Sequence, residues 1–190
     1  MATFFFSTIE VTRQVFYRSS LCCAIVNLKP IVPGHVLVIP TRPVPRLADL
    51  TPPELSSLMT SVQHVGRVIE RVYGADGLTI ACQDGKAAGQ TVPHVHFHLL
   101  PRKLRGDRFV NNDDIYPALE RAEGTLSQHL AAMPDGQKST DGKRSEPMVV
   151  HEPLKMDADE DRKPRTMEEM EKEATWLRTF FEVDGHTLEA

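Results

Sequence analysis

An α+β fold is predicted by three patterns in this 190-residue chain: an antiparallel meander sheet with one long helix packed on it, completed by a C-terminal helix. Short apolar runs bounded by turn residues fill the first forty positions, and a long run of helical spacing follows Thr51. The third pattern is a strict alternation in which His94, His96 and His98 interleave with Val95, Phe97 and Leu99. Strand side chains alternate between faces, so three imidazoles are expected on one face and apolar groups on the core side.

Taken in order, Phe4–Phe6, Val15–Arg18, Leu21–Leu28 and His35–Ile39 read as strands, with Pro33-Gly34 turning the chain into the last. Thr51-Pro52-Pro53-Glu54 opens the long helix with a capping hydroxyl, proline in the first turn and a reciprocating Glu. Leu55, Leu58, Met59, Val62, Val65, Ile69 and Val72 continue it, and Tyr73-Gly74 ends it. Leu78–Gln83 and His94–Leu100 are predicted as adjacent antiparallel strands across a glycine-punctuated loop. Residues 124–165 are polar and broken by Pro134, Gly136, Gly142, Pro147, Pro153 and Pro164, and are read as a mobile insertion in a single domain spanning 1–190. Thr166 and Glu169 repeat the capping pattern. Met167, Met170, Ala174, Leu177 and Phe181 then predict an amphipathic helix over 166–183, docked on its own subunit or on a dimer partner.

Composition narrows the function classes. With 41% apolar residues the chain supports one domain with a real core. Three cysteines, two of them adjacent (Cys22 and Cys23), make no disulfide framework, which points to a reducing, cytoplasmic setting, the nucleus or an organelle remaining open. No apolar run is long enough for a membrane span, and Phe4-Phe5-Phe6 is too short for a signal segment. Residues 1–123 carry 13 Lys and Arg against 11 Asp and Glu, a net of +2, whereas 124–190 carry 9 against 15, a net of −6. The slightly basic part suits an anionic ligand, and the acidic outer face of the last helix argues against nucleic acid.

Three imidazoles on one face allow three chemistries. They could be an inert polar face. They could ligate a metal, but no Cys-x-x-Cys or His-Glu-x-x-His supplies partners, so no protein-ligated metal is expected. The best fit is nucleophilic catalysis by the middle imidazole. Its ring nitrogen attacks well near neutral pH when the other nitrogen's proton is held by an acceptor. The preceding Asp84-Gly85-Lys86-Ala87-Ala88-Gly89-Gln90-Thr91 has the glycines that let backbone N–H groups approach an anion, and reads as a phosphate cradle.

The run His94-Val95-His96-Phe97-His98-Leu99-Leu100 resembles the signature of the histidine triad (HIT) superfamily. Asn27–Val38, Arg42-Pro43, Gln83-Asp84-Gly85, Gly89–Val92 and Leu100–Lys103 are similar to its fragile histidine triad branch of dinucleoside polyphosphate hydrolases. The resemblance implies a HIT-like fold, a homodimer, and a covalent nucleotidyl-histidine route, with diadenosine triphosphate giving AMP and ADP. Carried across, it implies His96 as nucleophile, His98 as donor to the phosphate, and His94 and His35 as orienting groups. Gln83, Gln90 and Thr91, with backbone donors from Gly89 to Val92, would contact phosphate, and Asn27 the ribose. Phe5, Ile25 and Leu37 would wall the purine pocket. A divalent cation, Mg or Mn, would accompany the substrate phosphates. Two alternatives stay open: a nucleoside phosphoramidase of the same superfamily, and a dinucleotide-binding signalling module.

Overall fold

A computed structural model describes residues 2–124 and 164–182. A two-stranded ribbon, β1 (Phe5–Phe6) and β2 (Ile9–Glu10), precedes a short 3-10 turn at Thr12–Gln14. The main sheet then takes β3 (Val15–Arg18), β4 (Cys22–Val26), β5 (Val36–Pro40), β6 (Gly77–Ala81) and β7 (Phe97–Arg102) in the spatial order β3-β4-β5-β7-β6, antiparallel at every pair. This departs from a simple meander at one point. The chain leaves β5, crosses through the long helix α1 (Pro52–Tyr73) and returns at the sheet edge as β6. The triad strand β7 is thereby inserted between β5 and β6 and paired on both sides.

Helix α1 begins as expected. Glu54 accepts from the Thr51 backbone N–H at 2.8 Å, a capping box, and Gly74 closes the helix at φ 58°, where a Cβ would be strained. Leu58, Val62, Val65, Val68 and Ile69 are buried against β4, β5 and β7. Leu55 and Met59, read from the sequence as part of that stripe, instead stand 43% and 44% exposed, because the buried arc runs through Ser61 and Gly66 on the other side. Helix α2 (Ile115–Gly124) has no counterpart in the sequence reading; Ile115, Ala118 and Leu119 pack on Ile31, Val32 and Leu100 in a second small core.

Helix α3 (Met167–Glu182) buries Met170, Ala174, Leu177 and Phe181 on this same subunit, against β3, β4 and the Thr12–Gln14 turn. Each large apolar side chain removed from water contributes about 1.5–3 kcal/mol, which holds the helix in place. The boundaries drawn for the insertion need correction at both ends: Gly124 closes α2, and Arg165 is an anchor described below. Residues 125–163 lie outside the described residues.

Candidate active site

The histidine strand starts later than its alternation suggests. Regular pairing begins only at Phe97, opposite Val38; before it, the His94 N–H turns back to the Val92 carbonyl (2.8 Å) and the Val95 N–H goes to Val44 (2.7 Å). Local turn bonds outcompete the ladder there, so His94 and His96 lie on irregular backbone leading into β7. All three imidazoles are nonetheless buried, as is His35.

The hydrogen bonds fix which nitrogen carries each proton. For His94, the Ser7 backbone N–H donates to Nδ1 (2.9 Å), so Nε2 holds the proton and donates to the Pro40 carbonyl (2.9 Å). Ser7 adopts φ 58°, a left-handed conformation uncommon outside glycine, to place that N–H. Burial pushes the His94 pKa down to about 4, and its own carbonyl then serves His96. The Nδ1 proton of His96 is donated to the His94 carbonyl at 2.7 Å, which leaves Nε2 as a lone pair. On the far side, the Ile31 N–H reaches His35 Nδ1 at 3.2 Å and can only donate. His35 Nε2 therefore donates to His98 Nδ1 (2.9 Å), and the His98 proton sits on Nε2. Asn27 Nδ2 lies 3.2 Å from Nε2 and 3.5 Å from Nδ1 of His35, against the same ring. An unprotonated ring nitrogen on His96 thus stands beside a protonated one on His98, ring centroids 4.9 Å apart. The nearby Cys82 thiol is pushed up to about 11, chiefly by burial, and is held as a neutral thiol.

Gln83 lies against Gly89: a Cβ there would stand 2.8 Å from Gln83 Nε2, and Gly89 has φ 88°. Gln83 Oε1 is buried with no hydrogen-bond partner among the described residues. The loop itself differs from an open cradle. A 3-10 turn at Lys86–Ala88 turns the Gly89 and Gln90 N–H groups inward, to the carbonyls of Lys86 (3.0 Å) and Gly85 (3.2 Å). The Gln90 amide is likewise engaged, accepting from Gly85 N–H (2.9 Å) and donating to Pro45 (2.9 Å) and to the His94 carbonyl (3.3 Å). A phosphate contact by any of these groups requires an existing bond to be displaced. Val92 is a buried core residue, and Thr91 lies between it and Gln90 on the loop's exit. Asp84 ties the loop down through Arg46 (3.0 Å) and the Leu47 N–H (2.9 Å).

A small apolar recess, open at its mouth, is lined by Phe6, Val11, Gln14, Ile25, Val26, Asn27, Leu28 and Leu37. Ile25 and Leu37, expected to wall a purine pocket, line this recess, and so does Asn27, expected at a ribose. Phe5 does not line it. It stands 44% exposed, and Phe6 takes the inner position, its ring 5.2 Å from His96 and 5.5 Å from His94. In a two-residue strand of identical side chains, alternation gives a period without a phase, so the residues alone could not choose between them. Gln14 and Arg165 were also missed. Gln14 closes a run of three polar residues, Thr12-Arg13-Gln14, between Val11 and Val15, and nothing in that run sets it apart; Arg165 had no signal either, because its partners are remote in sequence.

The HIT domain family model matches residues 8–104. This chain belongs to the histidine triad family. It is 52% identical to the bis(5'-nucleosyl)-tetraphosphatase [asymmetrical] of Schizosaccharomyces pombe over 93% of both chains. It is 44% identical to a bifunctional bis(5'-adenosyl)-triphosphatase/adenylylsulfatase of Arabidopsis thaliana, over 90% of this chain and 79% of that one. Among solved structures it is similar to the Plasmodium falciparum diadenosine triphosphate hydrolase in complex with Cyclomarin A, with TM-score 0.54, 27% identity, and coverage of 68% and 88%.

Proposed function

We propose that this HIT-family enzyme is a dinucleoside polyphosphate hydrolase that cleaves diadenosine triphosphate to AMP and ADP. The carrying observation is the pair of tautomers just described: a lone pair on His96 Nε2, secured by the 2.7 Å bond from Nδ1 to the His94 carbonyl, beside a proton on His98 Nε2. Relatives named for triphosphate and tetraphosphate substrates support the class. In the proposed reaction His96 Nε2 attacks the α-phosphorus, forming a P–N bond as the P–O bond to the departing ADP breaks. His98 donates to a phosphoryl oxygen as charge builds. Water then cleaves the P–N bond, releasing AMP and regenerating the imidazole. ADP leaves as a stable anion, which suits a site whose proton donor is an imidazole.

Among the described residues no group of three or more His, Cys, Asp or Glu side chains is arranged to hold a metal ion. In this reading Mg or Mn arrives with the substrate, bound to its phosphate oxygens. A homodimer is part of the same proposal. The edge strand β6 with Ile80 48% exposed, and the uncovered Leu55 and Met59 of α1, offer apolar surface to a second copy. Light scattering giving a monomer at micromolar concentration would remove the dimer.

Parallel turnover of diadenosine triphosphate, diadenosine tetraphosphate and an AMP phosphoramidate tests the substrate class. The triphosphate is expected to lead; preference for the phosphoramidate would overturn the assignment. His96→Asn should bind nucleotide yet lose on the order of 10⁶ in rate. Retention of more than about a hundredth of the activity would take the nucleophile role from His96.

A further inference from the structure

Gln14 ends the 3-10 turn before β3, and the residue is only 2% exposed at the lining of the apolar recess. Its backbone N–H is used, donating to Val11 at 2.9 Å. Its side-chain Nε2 has no hydrogen-bond partner among the described residues. The other amide on this wall is differently placed: Asn27 Oδ1 accepts from the Lys29 N–H (3.0 Å) and Nδ2 is directed to His35. A buried amide donor without an acceptor is destabilising, and native folds rarely retain one without a reason. Here the recess supplies a reason. Phe6, Ile25 and Leu37 line the recess with apolar side chains, and Gln14, which carries the unsatisfied donor, lines it beside them.

We propose that Gln14 is a specificity-determining residue, its Nε2 donating to an acceptor atom on the edge of the substrate's nucleobase in this recess. Purines carry ring-nitrogen acceptors on both edges, so the contact would orient the base while the apolar walls hold its faces. The inference rests on the dinucleoside polyphosphate reading and adds a base contact to it. The contact forms when substrate binds and takes no part in the chemistry, so it acts on KM and leaves kcat alone.

The test uses the full chain with Gln14→Leu, similar in size and without polar atoms, and Gln14→Glu, which at neutral pH can only accept. AMP and ribose 5-phosphate, identical apart from the base, are compared as competitive inhibitors. Gln14→Leu should weaken AMP and raise the KM for diadenosine triphosphate by about 5- to 10-fold, the range of one hydrogen bond. It should leave ribose 5-phosphate inhibition and kcat within twofold and raise the melting temperature, since the unpaired donor is gone. Gln14→Glu should weaken AMP further. If Gln14→Leu shifts AMP and ribose 5-phosphate alike, or shifts neither, the inference is overturned while the functional reading stands. A wild-type protein that neither hydrolyses dinucleoside polyphosphates nor binds AMP overturns both. Should Gln14→Leu fail to fold, Gln14→Met carries the same comparison with the same outcomes.

Discussion

Replacing Arg165 by Met should unfasten three elements at once. The guanidinium donates through Nε to the Asn27 carbonyl at 3.1 Å, and through its two terminal nitrogens to that carbonyl and to Glu173. The Arg165 backbone N–H adds a bond to Leu28 (3.1 Å), and Tyr73 donates its hydroxyl to the other oxygen of Glu173 (2.7 Å). Burial, with the Glu173 carboxylate beside it, pushes the Tyr73 phenol up, so the hydroxyl keeps its proton. Arg165 and Glu173 are only 13% and 7% exposed, so this is a buried ion pair joining α1, α3 and the end of β4. Removing the cation leaves a buried carboxylate with one neutral donor, at a cost of about 3–5 kcal/mol. For a domain of this size that lowers the melting temperature by roughly 10 °C. Because the clamp holds the backbone of Asn27, KM should rise more than kcat falls. Thermal and urea unfolding give the stability, and initial rates give the split. Arg165→Met combined with Glu173→Leu should recover most of the loss, since an apolar pair carries no stranded charge. A single variant melting within about 2 °C of wild type, or a double variant no better than the single, would refute the reasoning.

Three further outcomes follow from the geometry. The His94 pKa is about 4 when folded and near 6.5 when unfolded, so as pH falls from 6.5 to 4 the unfolded state takes the proton first. Up to about 3 kcal/mol of stability should disappear across that window; urea midpoints at pH 7 and 4.5 would show it, and a His94→Asn variant should show a flatter profile. Gly89→Ala puts a Cβ 2.8 Å from Gln83 Nε2 on a backbone with φ 88°, and should reduce kcat/KM more than tenfold with about 1–2 kcal/mol lost from folding; an active, stable variant would mean the loop repacks freely. Exchanging residues 125–163 for a Gly/Ser linker, with Arg165 retained, should change kcat less than threefold. A tenfold loss would place part of that segment at the substrate.

What the residues determined by themselves was periodic or local. The Thr51–Glu54 box fixed where α1 starts, the Met170–Phe181 spacing fixed which face of α3 is buried, and the alternation of His94, His96 and His98 with apolar residues marked the histidine cluster, though not where its strand begins. These signals are carried by neighbours within a few positions, where backbone geometry alone relates one side chain to the next. Tertiary structure decided the rest. The choice of Phe6 over Phe5, the inward turn of the Gly89 and Gln90 amides, and the placing of β7 between β5 and β6 depend on groups far apart in the chain. So do the protons on which the proposed chemistry turns: Ser7 sets the tautomer of His94, and Ile31 acts through His35 to set that of His98. A hydrogen bond spanning 87 residues leaves no periodic trace in a sequence, because its two ends meet only after the sheet has formed.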